Sequence, residues 1–165
     1  MSALKALKTI RFDSSDDNVF ETAATPEEWA VSGAFAFADL APEAVTGKLK
    51  QAFANGFLGL GSFGRSTFAV VAEIDEAERA ALECRLAAHF VDRYGAPDTQ
   101  AALPAAREEM AFVLDLCREP LINTVFTVRR HFDEDGHIRE AFRTIQAPSA
   151  EPSHARIWSV VEDDG

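Results

Sequence analysis

The chain is short of several things, and each shortage narrows what it does. Its 165 residues include one Tyr and two Trp against 13 Phe. Tyr and Trp join an apolar body to a polar handle and are enriched at recognition surfaces, whereas Phe has no handle, so the aromatic content belongs first to a core. Cysteine is limited to Cys84 and Cys117, far apart in sequence and inside predicted helices. That argues against a disulfide framework and for two buried small hydrophobes in a reducing compartment.

Positive charge is also scarce, with 16 Lys and Arg facing 27 Asp and Glu for a net charge of −11. Non-specific binders of nucleic acid or anionic membrane need a basic surface, so neither partner is expected unless a local patch overrides the total. No apolar run approaches the roughly 20 residues needed to span a bilayer. Met1 to Lys8 carries two lysines with no continuous apolar stretch behind them, so it does not read as a secretory signal. The expected location is the cytoplasm.

What is present is an ordinary globular mixture, 47% hydrophobic and 26% charged. It predicts one domain over 1–165 that ends in a short acidic tail. Alternation predicts strands at Lys8 to Asp13 and Trp29 to Phe37, and the mostly apolar run Phe68 to Ile74 suits a central strand. Pro42 to Asn55 suits a short helix weakened by Gly47. Glu76 to Tyr94 is the clearest helix, with Asp75 as N-cap, Leu82, Leu86, Phe90 and Tyr94 inward, and Arg85, His89 and Arg93 on a solvated face. A second long helix fits Pro104 to Arg118, and Asp98 is an alternative start. Asn123 to Phe132 and His137 to Gln146 flank Asp133-Glu134-Asp135-Gly136, a hairpin signal. Pairing Asp133 with His137 sets Val128 opposite Phe142 and Arg130 opposite Glu140, which leaves one charge pair inside an apolar face. Arg156 to Val161 could add an edge strand. Strands, then helices, then strands indicate an α+β fold, a largely antiparallel sheet packed against two principal helices.

Chemistry-bearing motifs are incomplete. Gly59-Leu60-Gly61-Ser62-Phe63-Gly64 matches a phosphate-cradling pattern, but a strand follows it where a dinucleotide fold requires a helix. The lysine, catalytic-loop and metal-binding motifs of a kinase are missing too. Tight turns or close backbone packing are the ordinary use of such glycines. The outer hairpin face carries Arg129, His131, Arg139 and Arg143, forks suited to a carboxylate or phosphate unless they meet this chain's own carboxylates. The residues from His131 to His137 hold two histidines and three carboxylates, but turn chemistry explains them and no metal spacing is matched. No metal, cofactor or catalytic residue is expected. The candidate ligand-binding residues are Gly61, Gly64, Arg65, Ser66, Arg129, His131, Arg139 and Arg143. Phe57 and Phe63 flank the glycines without periodicity and are the phenylalanines most suited to a pocket or interface.

Three stretches, Arg11-Phe12-Asp13, Glu28 to Gly33, and Asn55 to Phe68 through Ser62-Phe63-Gly64-Arg65, resemble a family of small bacterial proteins of unknown function along nearly the whole chain. The resemblance implies a bacterial cytosolic protein with an accessory role beside molybdenum enzymes such as formate dehydrogenase, and it brings no catalytic residues. The functional expectation is a non-catalytic accessory or binding protein that engages a protein partner or a small anion. The alternatives are a small-molecule enzyme with a pocket between sheet and helices, lined by Arg65, Ser66 and the hairpin arginines, and a structural homodimer.

Overall fold

A computed structural model describes residues 4–145. Leu4–Ile10 forms β1, Ser15–Val19 the short helix α1 and Trp29–Val31 β2, and after two 3-10 turns Gly47–Asn55 forms α2. Phe57–Gly59, Arg65–Ser66 and Phe68–Ile74 are β3, β4 and β5. The long helices α3 (Glu76–Tyr94) and α4 (Thr99–Leu116) follow, and then the hairpin β6 (Val125–Phe132) and β7 (Ile138–Ile145). The strands make a seven-stranded sheet in the order β4-β3-β2-β1-β5-β6-β7, with every neighbouring pair antiparallel. Helix α4 packs on β1 and β2 and against α3, while α2 packs on β6. The fold is α+β, an antiparallel sheet carrying two long helices. Among the described residues no helix is long and apolar enough to cross a membrane.

The hairpin register is the one its polarity dictates. Asp133 N donates to the His137 carbonyl (2.8 Å), and Phe126 faces Thr144, Val128 Phe142, Arg130 Glu140 and Phe132 Ile138. A slip of one residue would turn Phe126, Val128 and Phe132 to water and bury Arg129 and His131. Helix α3 starts as expected, with the Asp75 side chain accepting from Glu78 N (2.8 Å).

Elsewhere local chemistry overrides the pattern. The strand expected from Trp29 to Phe37 stops at Val31, and Ala34–Phe37 is a 3-10 turn. Gly33 causes the break. It sits at φ +81°, where L side chains are strained, and a Cβ there would lie 2.5 Å from Arg65 Nη1. The helix expected from Pro42 splits into a 3-10 turn at Pro42–Ala44 and α2, whose first residue, Gly47, sits at φ +60°. The first strand begins and ends earlier than expected, which leaves Phe12 outside it and 62% exposed against Phe68. Helix α4 starts at Thr99, where the Asp98 side chain accepts from Ala101 N (2.7 Å), so Pro104 lies inside the helix. Cys117 is buried, but Cys84 is exposed. Tyr94 is exposed, and His89, assigned to the solvated face, stacks on Phe63 at 3.8 Å between ring centres. The expected strand from Arg156 to Val161 lies outside the described residues.

The core has two parts. The larger joins Leu7, Val31, Phe57, Val71, Leu86, Met110, Val113, Phe126 and Val128, and the smaller joins Phe20, Phe37, Val45, Ala52 and Phe53 with Phe132 and Ile138 packed on it. Along the inner hairpin face, Arg130 and Glu140 occupy the step between Val128–Phe142 and Phe132–Ile138. The one charge pair of that face therefore stands at the seam between the two clusters.

Candidate functional site

At the seam, Arg130 is completely enclosed, its side chain 0% exposed. Its Nε donates to Glu140 Oε2 (2.7 Å), and Nη1 donates to the carbonyls of Phe53 (2.8 Å), Gly56 (3.0 Å) and Ala52 (3.3 Å). Nη2 donates to the Ser32 carbonyl, and the Ser32 hydroxyl donates to Glu140. The last carbonyls of a helix lack intrahelical partners and carry the negative end of its dipole, so a guanidinium at the end of α2 satisfies both needs. Arg65 reaches the same place from β4. It donates to Gly56 O and Gly33 O (both 3.1 Å), and its guanidinium carbon lies 4.9 Å from the centre of the Phe37 ring. Burial, joined by repulsion from Arg130, brings Arg65 down to about 9. Burial also lowers Arg130, against the opposing pull of Glu140. Half-buried Glu109 on α4 is raised to about 7 by burial, then by Glu140 and Glu108.

The glycine segment is built around another charge. Glu28, buried at the start of β2, accepts five hydrogen bonds. Oε1 takes Gly61 N (2.9 Å) and Ser62 N (2.8 Å), and Oε2 takes Thr25 N, Thr25 Oγ1 and Ser62 Oγ (each 2.7 Å). Burial alone would raise this carboxyl, but the bonds from Ser62 and Thr25 outweigh it and hold Glu28 below its ordinary value. Consecutive main-chain N–H groups form an anion-binding concavity, and here the chain's own carboxylate fills it. A Cβ on Gly59 would come within 2.3 Å of Glu28 Oε1, and one on Gly64 within 2.6 Å of the Ala23 backbone.

Half of the candidate residues are engaged within the fold itself. Gly61 grips Glu28, Gly64 packs on Ala23, Arg65 caps carbonyls, and buried Ser66 donates to the Phe68 carbonyl (2.7 Å). Each has an internal partner that an external ligand would have to displace. Phe57 is fully buried, so the expectation of a pocket or interface role does not fit it.

Arg129, His131, Arg139 and Arg143 come together on the outer hairpin face, and all four are exposed. Arg139 pairs with Asp133 (2.8 Å), but among the described residues no carboxylate pairs with Arg129 or Arg143. At the turn, Asp133, Asp135 and His137 hold ligand atoms within 4.8 Å of one another. Asp133 is already engaged there, accepting from the N–H groups of Asp135 and His137 (2.9 Å each) and from Arg139. An open cleft of about 330 Å³ lies between α2 and the end of β6, with Val45, Phe53 and Phe132 as apolar lining and Lys50 and His131 as polar lining.

Glu28 and Lys50 were not singled out from the sequence, and Arg130 was read only as half of a charge pair with Glu140, not as a site residue. An arginine alone on an otherwise apolar strand face was a usable signal for Arg130. Nothing near Glu28 in sequence distinguishes it from the other acidic residues. The chain belongs to a family of unknown function, DUF6505, which matches residues 4–163. No curated protein and no solved structure matches it.

Proposed function

We propose that this member of the DUF6505 family of unknown function is a non-catalytic accessory or binding protein of the bacterial cytoplasm that engages an anionic partner, an acidic protein segment or a small anion, through the outer face of the β6–β7 hairpin. The observation that carries the reading is the pair Arg129 and Arg143, exposed and without an ion pair among the described residues in a chain of net charge −11. Exposed arginines on an acidic molecule ordinarily find a carboxylate nearby. Two left open on one flat sheet face favour a partner that brings its own. Arg130 beneath them locks the hairpin to α2, so the forks project from a fixed surface and lose little entropy on binding.

The test is titration with an oligoglutamate probe by calorimetry. Wild type binds, and binding weakens as salt rises. Arg129→Ala with Arg143→Ala loses at least about tenfold in affinity, or about 1.4 kcal/mol. The same variant keeps its unfolding midpoint, whereas its unfolding would assign these residues a structural role and sink the reading.

A further inference from the structure

Strand β6 is paired along its full length with β7, but with β5 only at Val125 and Phe126. From Thr127 onward no strand flanks its other edge among the described residues. The ladder fixes which main-chain groups face that edge. Asp133 and His137 form a hydrogen-bonded pair, so antiparallel alternation directs the N–H and C=O of His131 and Arg129 to β7 and those of Phe132, Arg130 and Val128 away from it. The pairing of Phe126 with Ala69 on the β5 side gives the same phase.

The cleft beside α2 opens onto this edge. Arg130, His131 and Phe132 are consecutive, and their side chains alternate between the two faces of the sheet, yet all three line the cleft. A cavity touching both faces of a strand lies along its edge. The Arg130 side chain is 0% exposed while the whole residue is 4% exposed, so what Arg130 shows to the cleft is main chain. Helix α2 packs against this part of β6, and Phe53 with Val45, just ahead of the helix, forms an apolar wall of the cleft. Lys50 and His131 line it too, and no carboxylate does.

We propose that this cleft is a strand-edge docking site for an extended peptide segment that bears an apolar side chain next to carboxylates. The main chain of the peptide pairs with Arg130 and Phe132, its apolar side chain packs on Val45, Phe53 and Phe132, and its carboxylates meet Lys50 and His131. Edge addition draws affinity from main-chain hydrogen bonds and selectivity from alternate side chains. Charge complementarity selects an acidic segment over a basic or neutral one, and this inference rests on reading the molecule as a binder of anionic partners.

The probe is a synthetic acetylated pentapeptide amide, Glu-Leu-Glu-Phe-Glu, with two controls N-methylated at alternate residues in opposite frames. Binding at or below about 1 mM is expected, with amide exchange at Arg130 and Phe132 slowed at least tenfold at saturation. One N-methylated frame binds about tenfold more weakly, and Lys50→Glu, a change at an exposed position, weakens the parent peptide by a similar factor. No binding of the parent peptide at that concentration overturns the proposal. Equal binding of both N-methylated frames with Arg130 and Phe132 unprotected also overturns it. If Arg129→Ala with Arg143→Ala still abolishes such binding, the arginine-face reading survives alone. Loss with one frame only, with that double variant binding normally, supports the edge and removes the face.

Discussion

The Glu28 clasp and the Arg130 latch bury opposite charges by opposite means. Around Glu28 the backbone comes to the side chain. Two loops wrap their N–H groups and hydroxyls onto a carboxylate, and the glycines are small because the acid is close. Around Arg130 the side chain goes to the backbone, crossing from β6 to the carbonyl end of α2 and to the turn after β2. The first device shapes a loop. The second joins two parts of the core that share no continuous apolar face. A buried charge can therefore serve as a local template or as a long-range connector, and the types of its partners tell which.

The largest effect comes from breaking the connector. Arg130→Met keeps length and apolar bulk but strips partners from the end of α2, from Ser32 and from Glu140. It should cost about 3–5 kcal/mol in urea unfolding, and a loss below about 1 kcal/mol would mean that water replaces the guanidinium. Breaking the template costs less. Glu28→Gln keeps the shape but turns an amide toward N–H donors, for about 2–3 kcal/mol at pH 7. The sign with pH follows from the lowered folded value of Glu28. Its contribution is present above the ordinary carboxylate range and is lost as pH falls through that lower value, so the Gln variant shows a shallower acid-side decline than wild type.

Smallest is the change at the rim of the latch. Glu109 rises from 4.5 to about 7 in the fold, so its proton is held more tightly folded than unfolded. Its penalty grows between those values as pH rises and is complete above 7. Glu109→Gln should therefore match wild type near pH 4 and exceed it by about 1 kcal/mol near pH 8. Equal stability at both pH values would show that the carboxyl is solvated.

The hairpin was legible down to its register because both strands alternate cleanly and only one pairing puts every Phe on one side. The charge pair Arg130–Glu140 came with that register. Its remaining partners did not, because carbonyls at a helix end carry no letter in a sequence. The run from Trp29 to Phe37 misleads for the converse reason: its alternation is good, and a positive φ at Gly33, where a Cβ would strike Arg65 and Leu58, ends the strand. The glycine segment matched a phosphate-cradling pattern, and its N–H groups close instead on a carboxylate of the chain itself. That the anion is Glu28, 33 residues upstream of Gly61, depends on the strand pairing that brings β2 beside β3. The outer arginines were legible as a cluster, while the unpaired edge beside them depends on where β5 begins.

The latch also sets an order of events. Arg130 meets Ser32 across 98 residues and Phe53 across 77, so most of the chain must be made before its guanidinium exists. Helix α2 is nine residues long, too short to persist alone in water. During synthesis the N-terminal strands and α2 emerge with their closing piece still unmade, and non-local contacts of this span are slow to form. The hairpin thus acts as the last-arriving key: a chain cut short before Val125 retains every residue of α2 and lacks what finishes it.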